Sequence, residues 1–436
     1  MKADLIITNI GQLATCASDG KPKRGAEMRD VGLIENGAIA VVDQKFAAVG
    51  LSSEVRRNFQ SENEIDAGGK VVCPGFVDPH THIVFAGDRL DEFELKIKGA
   101  NYLEILARGG GILSTVERTR SASADELVTL GLTRLDQMLA CGTTTAEIKT
   151  GYGLDTDNEL KMLKVIDELY KRHPITIVPT FLPAHAIPSE FSFEPQGYVD
   201  LVCNEMLARA WQWYVNSHFH GSVPFFLDVF CEENAFDLEQ TAQILKAGMK
   251  IGFRLKAHVD EFTNLGACRR AIALGATSVD HLDETGHDEM KLLAASDTIG
   301  VLTPAVNFNF GSSRFADARR LIDSGCAIAL STDYNPGSAP CPSLPMAMAI
   351  ACRYQKLLPA EALNAATVNA ALAVGVGDRC GSIEAGKSAD LLIAEVSDHR
   401  ELAYEFGSNP VGIVVKNGKV VSDKSEKEQL PVFSFE

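Results

Sequence analysis

Apolar, β-branched runs alternate with helical patterns through the middle of this chain, and this rhythm limits the possible folds more than any other feature. Eight such runs occupy residues 75–82, 143–149, 175–185, 225–230, 251–258, 277–281, 298–304 and 327–333. Helical periodicity lies between several of them, at 124–140, 158–172 and 238–247. Repeated β-then-α units over roughly 250 residues are typical of a (β/α)₈ TIM-type barrel, an α/β fold whose active site forms at the C-terminal ends of the strands.

The two ends of the chain lack this rhythm. Residues 4–72 predict short strands and turns, with a hairpin signal at Glu35-Asn36-Gly37, and a second hairpin signal lies at Asn417-Gly418. We expect these two β segments to pair into one small β-sandwich beside the barrel. The predicted segments are 1–73 for the first part of the sandwich, 74–372 for the barrel and 373–436 for the second part.

The first predicted barrel strand ends in His80-Thr-His82. Alternate residues of a strand share a face and lie about 6.6–6.8 Å apart along it. Both imidazoles can therefore reach one metal ion beyond the end of the strand. For this short motif taken alone, an incidental surface pair of histidines is the alternative interpretation.

Two further candidate ligands follow later strands of the predicted barrel. His258 ends the fifth strand and Asp333 ends the eighth. Each has an alternative role when taken singly, as a buried core histidine and as a helix N-cap respectively. Together with the first two histidines they form a donor set that suits Zn²⁺ or iron. An open coordination position would leave room for a water whose pKa the metal lowers towards ~7.

Other polar residues at strand ends suit steps of a hydrolytic reaction. Glu261 lies three residues after His258, where it suits proton transfer or, alternatively, stabilises the start of the next helix. His281 ends the sixth strand and could hydrogen-bond a hydroxide or a metal ligand. His185 follows the third strand and could polarise a substrate carbonyl, with a buried loop histidine as the alternative.

Two cationic residues need separate interpretations. Arg89, just after the first strand, can hold a carboxylate through two parallel hydrogen bonds, and a surface salt bridge is the alternative. Lys149 occupies a position where some metal-dependent barrels carry a carboxylated lysine that bridges two metals. We interpret it instead as a lysine of the barrel interior paired with Glu147 or another acid.

The charge balance and the cysteines exclude several classes of function. A net charge of −17 argues against a nucleic-acid-binding surface, which would be basic. The ten cysteines include no C-x-x-C pair, which favours a reduced, cytoplasmic compartment over a disulfide framework. No basic and apolar leader opens the chain and no run of ~18 apolar residues occurs, so we expect no membrane partner. A small-molecule substrate is the expected partner.

Several motifs resemble a known superfamily. The His80-x-His82 opening, His258, Asp333 and the closing GSIEAGKSADL stretch resemble the metal-dependent amidohydrolases, and this resemblance covers nearly the whole chain. Within that superfamily, five stretches resemble the imidazolonepropionase family of histidine degradation. They are DPHTHIVFAGDR (78–89), EIKTGYGL (147–154), FLPAH (181–185), HVDE (258–261) and STDYNPGS (331–338).

The resemblance implies a reaction and a set of residues. The implied reaction is hydrolysis of the ring amide C–N bond of 4-imidazolone-5-propanoate to N-formimidoyl-L-glutamate, by a homodimer with one Zn²⁺ or Fe³⁺ per chain. The implied metal ligands are His80, His82, His258 and Asp333. The implied substrate and product contacts are Arg89, Tyr152, His185, Glu261, Asn335, Gly337 and Ser338. The expected catalytic residues are Glu261, His281, Asp333 and His185.

Two other functions fit part of the pattern. A deaminase of the same superfamily would use Glu261 to protonate a ring nitrogen of a purine, pyrimidine or related heterocycle. Arg89 and the Tyr152 loop favour instead a substrate with a carboxylate tail. A barrel that acts only as an assembly module would lack metal ligands, and here every ligand position is filled. The choice between zinc and iron, the oligomeric state and the division of proton transfer are open at this point.

Overall fold

Sixteen strands define the architecture of the described residues. The computed structural model describes residues 1–99 and 110–427. The strands are β1 (Leu5–Ala14), β2 (Leu33–Val42), β3 (Lys45–Leu51), β4 (Glu64–Asp66), β5 (Val71–Pro74), β6 (Phe76–Asp78), β7 (Thr143–Lys149), β8 (Thr176–Ala184), β9 (Phe226–Val229), β10 (Arg254–Val259), β11 (Ser278–His281), β12 (Ile299–Leu302), β13 (Ile328–Leu330), β14 (Leu391–Ala394), β15 (Val411–Lys416) and β16 (Lys419–Asp423). They form two sheets of eight strands each.

Strands β6 to β13 form the predicted parallel barrel, and each of the eight predicted runs overlaps one of them. Each strand pairs in parallel with the next along the chain. Contacts beyond β6 and β13 bring the two ends of this sheet together. The Thr332 hydroxyl donates to Asp78 over 2.5 Å, and the His82 N–H donates to the Tyr334 carbonyl over 2.9 Å. The residues that follow the first and last barrel strands therefore lie side by side.

Helices follow most of the barrel strands. Those of the barrel region are Leu90–Ile97, Ile112–Ser121, Ala124–Ala140, Thr156–Arg172, Pro195–Leu201, Leu207–Val215, Leu238–Ile251, Ala267–Ala273, His287–Ala294, Pro304–Asn309, Ala318–Asp323, Leu344–Tyr354, Pro359–Ala365 and Val368–Ala373. Three more helices lie nearer the termini, at Ser52–Asn58, Glu401–Tyr404 and Lys424–Lys427. In the part of the chain that the structure describes, no helix has the length and apolar character needed to cross a bilayer.

The predicted helices match the structure, with small differences at their ends. The helix Ala124–Ala140 has the predicted bounds, because Ser123 and Glu126 form a capping box at its start. The second helix begins at Thr156 rather than at 158, because the Asp155 side chain caps it by accepting the Asn158 N–H. The third continues beyond 247 to Ile251.

The second sheet contains strands from both ends of the chain, in the order β16-β15-β14-β5-β1-β2-β3, with β4 also paired to β1. The sheet folds on itself, because the Phe46 N–H donates to the Lys387 carbonyl and the Ala389 N–H to the Gln44 carbonyl. One apolar cluster that includes Ile7, Val41, Phe46, Leu391 and Val415 fills the interior. This is the predicted β-sandwich. The limits 1–73, 74–372 and 373–436 stay a prediction, and residues 428–436 lie outside the described residues.

A short connection joins the sandwich to the barrel and positions the first histidine pair. Val72 of β5 packs in the sandwich interior, whereas its neighbours Val71 and Cys73 pack in the barrel core. Gly75 alone separates β5 from β6, and a Cβ at this position would overlap the Thr144 side chain. The close approach of the Thr144 side chain to the backbone at this position therefore requires glycine.

Candidate active site

Four donor atoms converge at the C-terminal ends of the first, fifth and eighth barrel strands. Nε2 of His82 lies 3.2 Å from Nε2 of His80 and 3.5 Å from Nε2 of His258. Oδ1 of Asp333 lies 3.4 Å from Nε2 of His82 and 3.5 Å from Nε2 of His80. The structure thus brings together the four residues that the sequence predicts as metal ligands, and all four are buried.

These donor atoms fit a metal ion. Burial lowers the pKa of His80 and His82 well below the usual value, so both rings are neutral at pH 7, as metal ligation requires. Nε2 of His80 and Nε2 of His82 lie close enough together to bind one shared cation. Oδ1 of Asp333 is buried and has no hydrogen-bond partner among the described residues. Three imidazoles and one carboxylate match the donors that zinc and iron take.

Unusual backbone conformations aim several of these side chains. Asp333 has φ = 50°, His281 has φ = 81° and Asp260, two residues after His258, has φ = 55°. Non-glycine residues adopt this left-handed region rarely, and such strain tends to occur at functional sites. At His281 the conformation lets two consecutive residues, Asp280 and His281, both reach the barrel interior.

Two buried carboxylates contact the outer nitrogens of two of the predicted metal ligands. The Nδ1 N–H of His80 donates to Oδ2 of Asp280 over 2.7 Å, and Nδ1 of His258 lies 3.1 Å from Oδ2 of Asp228. A carboxylate on the outer nitrogen leaves Nε2 as the lone-pair donor and raises its basicity. Although burial opposes it, interactions with His258 and Lys149 hold the pKa of Asp228 well below its usual value. Neither aspartate was among the predicted site residues.

Two buried lysines neutralise these acids. Nζ of Lys149 lies 2.7 Å from Asp228 and 2.8 Å from Glu147, and Nζ of Lys256 lies 3.0 Å from Glu147. The interpretation of Lys149 as an interior lysine paired with Glu147 or another acid is therefore confirmed. Two sequence signals could have revealed the rest of this network. Asp228 is a charged residue inside an apolar strand, and Lys256 lies two residues before His258, on the same face of its strand.

His281 and Glu261 form a pair at the edge of the four donors. Nε2 of His281 lies 3.8 Å from Oε2 of Glu261, and the outer nitrogen Nδ1 of His281 lies 3.0 Å from the Thr303 hydroxyl. Burial lowers the pKa of His281 and, together with the Asp333 charge, raises the pKa of Glu261 well above its usual value. The two side chains therefore sit where a proton can pass between a buried acid and a neutral imidazole.

His185 stacks on the His82 ring, with centroids 4.8 Å apart, and its Nδ1 lies 3.0 Å from the Gly151 carbonyl. Because a carbonyl oxygen only accepts, the Nδ1 atom carries the proton, and burial lowers the pKa of His185 to about 3. The ring is therefore neutral and presents an Nε2 lone pair. This geometry differs from the expected role of polarising a carbonyl, which needs an N–H donor at Nε2.

Tyr152 lies beside His185, with ring centroids 5.4 Å apart, and is 3% exposed. A single buried carboxylate, that of Glu159, holds its loop by accepting the N–H groups of Gly151, Gly153 and Leu154 at 2.8–3.2 Å. The sequence did not identify Glu159 as a residue of the site. Glu159 lies on the helix that follows this loop, and no local sequence pattern indicates that its side chain contacts the loop.

Three of the remaining predicted residues, Asn335, Gly337 and Ser338, lie on one loop after β13. Asn335 accepts the N–H groups of Gly337 and Ser338 and donates to the Ser338 hydroxyl and the Asp333 carbonyl, so its side chain shapes the loop. A Cβ at Gly337 would overlap Nη1 of Arg89. The structure thus places the guanidinium of Arg89 directly against the loop that carries Asp333.

Comparisons with known proteins identify the family of this chain. The sequence profile described as "Amidohydrolase family" matches residues 232–421. The imidazolonepropionase of Chloroflexus aggregans is 54% identical over 96% of this chain and 98% of its own length. The imidazolonepropionase of Herpetosiphon aurantiacus is 50% identical over 96% of this chain and 97% of its own.

Solved structures share the fold at low sequence identity. An adenosine deaminase from Xanthomonas campestris, solved with bound zinc, has a TM-score of 0.72 at 20% identity and covers 96% of this chain and 93% of its own. A variant atrazine chlorohydrolase from Arthrobacter aurescens, complexed with zinc and atraton, has a TM-score of 0.74 at 16% identity, over 96% of this chain and 95% of its own. These two comparisons establish the barrel with its attached sandwich as a shared fold.

Proposed function

Because the chain belongs to the imidazolonepropionase family of the amidohydrolases, we propose that it hydrolyses the ring amide C–N bond of 4-imidazolone-5-propanoate to N-formimidoyl-L-glutamate. The relatives that support this assignment match almost end to end, at 54% and 50% identity. The single structural observation that carries it is the convergence of His80, His82, His258 and Asp333 at the barrel mouth. The residues around that point suit a small cyclic amide with a carboxylate tail.

The four converging residues would hold one Zn²⁺ or Fe³⁺. When bound there, the metal lowers the pKa of a coordinated water and polarises a carbonyl oxygen. Support for a single ion comes from the acids deeper in the barrel. His80, Glu147 and Asp280 also lie close enough to hold a cation, but Lys149 and Lys256 already neutralise those carboxylates. A second metal there would meet two buried ammonium groups.

Glu261, His281 and Asp333 would share the proton transfers of the reaction. The raised pKa of Glu261 favours the protonated form of this carboxyl group. Glu261 and His281 are 3.8 Å apart beside the donor cluster, so the proton of the attacking water can be taken here and delivered to the departing ring nitrogen. Their titrations are coupled in one site.

Two neutral side chains and one cation would orient the substrate. The Nε2 lone pair of His185 can accept a hydrogen bond from a ring N–H of the imidazolone, in place of the carbonyl contact that the sequence predicted. Arg89 would bind the propionate, with Tyr152, Asn335, Gly337 and Ser338 lining the same side of the site. Holding both ends of the substrate would fix its carbonyl beside the four residues that would hold the metal.

Two further expectations stay predictions. A cytoplasmic location is supported by the cysteines, because all ten are unpaired, as a reducing compartment would keep them. Assembly as a homodimer rests on the family alone.

The test is an assay of the purified protein on freshly prepared imidazolone propionate, with its metal content measured in parallel. We expect loss of the imidazolone absorbance, formation of formimidoyl-glutamate and about one metal per chain. An Arg89→Ala variant should keep its metal, and its kcat/KM should fall by more than about tenfold. A tenfold fall corresponds to ~1.4 kcal/mol of transition-state stabilisation. Ammonia release from purine or pyrimidine bases, with no turnover of imidazolone propionate, would replace this function by deamination.

A further inference from the structure

The guanidinium of Arg89 is held along one edge by a neighbouring carboxylate. Its Nε and Nη2 atoms donate to the two oxygens of Glu92 over 2.7 and 2.6 Å. The side chains of Arg89 and Glu92 are 15% and 6% exposed. We propose that Glu92 is a positioning residue that presents Arg89 to the carboxylate of the substrate, an inference that rests on the proposed function of Arg89.

Glu92 is itself held from two other directions. Nζ of Lys96 lies 2.7 Å from Oε1 of Glu92, and the N–H of Gly111 donates to Oε2 over 2.9 Å. Gly111 is the N-cap of the helix Ile112–Ser121, so the carboxylate connects two helices that follow the first barrel strand. A carboxylate with contacts on both oxygens has little freedom to rotate and defines the plane of the guanidinium that it meets.

The opposite side of Arg89 is set by the loop after β13. Nη1 lies so close to Gly337 that a Cβ at this position would overlap it. Gly337 follows Asp333 by four residues on the same loop, and Asn335 fixes its N–H. Arg89 thus lies between Glu92 and the loop that carries Asp333, a predicted metal ligand.

Arg89 has enough N–H donors to bind a second carboxylate in addition to that of Glu92. An arginine carries five N–H donors, and the contacts with Glu92 use one edge of the fork. The other edge, formed by Nη1 and the outer N–H of Nη2, has the geometry for bidentate binding of a carboxylate. Lys96 also pairs with Glu92 and compensates its negative charge. Glu92 therefore does not cancel the positive charge of Arg89. Without Glu92, substrate binding would also have to order the flexible arginine side chain.

The decisive experiment compares Glu92→Gln with wild type in two ways. We expect KM for imidazolone propionate to rise about tenfold with kcat within about twofold, since binding and not chemistry is affected. Calorimetric binding of 4-imidazolepropanoate, an inert compound with the same carboxylate tail, should weaken by a similar factor, whereas its propionamide analogue should bind wild type and variant equally. The matched control is Glu94→Gln, which removes the same charge from an exposed pair with Lys98 on the same helix.

The Arg89→Ala background separates positioning from general structure. If Glu92 acts through Arg89, Glu92→Gln should have no further effect on either constant in that background. If the glutamine variant fails to fold, Glu92→Asp replaces it. The aspartate keeps the charge but is too short for the bidentate contact, so we expect the same rise in KM. A KM that falls or stays within about twofold of wild type, or an effect that persists without Arg89, would overturn the inference. Tight binding of 4-imidazolepropanoate by a wild-type protein without turnover would count against the proposed function alone.

Discussion

Nζ of Lys149 lies 2.7 Å from Oδ2 of Asp228, and the same oxygen lies 3.1 Å from Nδ1 of the predicted metal ligand His258. The lysine thus acts on the metal centre through one shared carboxylate oxygen. All three side chains are buried, so solvent does not weaken the electrostatic interactions between them.

Replacing Lys149 by methionine should therefore affect both folding and metal binding. The variant keeps the side-chain volume but removes the lysine from Asp228 and leaves Glu147 with Lys256 alone. Breaking a buried ion pair in this way costs about 3–5 kcal/mol of unfolding free energy, and loss of an outer partner lowers metal affinity about 10–100-fold. Urea unfolding and competition with a chelator measure the two effects. The control is Lys164→Met on an exposed helix face, and an unaltered metal affinity in Lys149→Met would refute the link through Asp228.

Removing the metal should destabilise the fold, because the four donor atoms repel one another or remain unsatisfied without a cation. At a free metal concentration of about a thousand times the Kd, binding stabilises the folded state by about 4 kcal/mol. We expect chelation of the metal to remove this stabilisation from the wild type and addition of metal to restore it. A His82→Asn variant should bind no stoichiometric metal and show no increment, whereas the exposed His218→Asn variant should behave as wild type. Equal melting temperatures with and without metal would contradict the assigned site.

Glu261 should matter for turnover far more than for metal binding. Glu261→Gln keeps the shape of the side chain but cannot exchange a proton, so kcat should fall about 10²–10⁴-fold while the metal content stays unchanged. Glu233→Gln, at an exposed position, is the control. If kcat of Glu261→Gln stays within about threefold of wild type, proton transfer must use His281 or Asp333, and His281→Asn becomes the informative variant.

The ion pairs of Glu92 predict a defined dependence of stability on pH. Burial alone would raise the pKa of Glu92, but Arg89, Lys96 and the Gly111 N–H lower it to about 2. Since the folded pKa lies below the unfolded value, this stabilisation is complete above about pH 4.5 and is lost as the pH falls towards 2.

Chemical denaturation of wild type and Glu92→Gln at several pH values tests this directly. The stability advantage of the wild type should shrink by on the order of 2 kcal/mol between pH 6 and pH 3. The advantage over Glu94→Gln, which changes an exposed pair, should stay nearly constant over the same range. A wild-type advantage over Glu92→Gln that does not change with pH would show that Glu92 is not stabilised as a carboxylate.

Local sequence patterns were sufficient to predict the barrel and the four residues that converge at its mouth. A strand is set by a short run of apolar, β-branched residues, so the eight runs could be located one by one. The position of a polar residue at the end of such a run then places it at the barrel mouth, because parallel strands end at a common edge. His80, His82, His258 and Asp333 were all found in this way, and their convergence followed from the barrel itself.

The hydrogen-bond and ion-pair partners of those residues could be identified only from the tertiary structure. Asp280 lies 200 positions from the His80 ring that it orients, and nothing local to either residue indicates the contact. The left-handed conformation of His281 and the proton on Nδ1 of His185 likewise depend on neighbours from other strands. Glu92 looks like an ordinary surface residue of a helix until the fold brings Gly111 to it and Gly337 to Arg89. Sequence determined which groups reach the barrel mouth because strand periodicity is local, whereas their protonation, orientation and pairing depend on distances that exist only after the barrel closes.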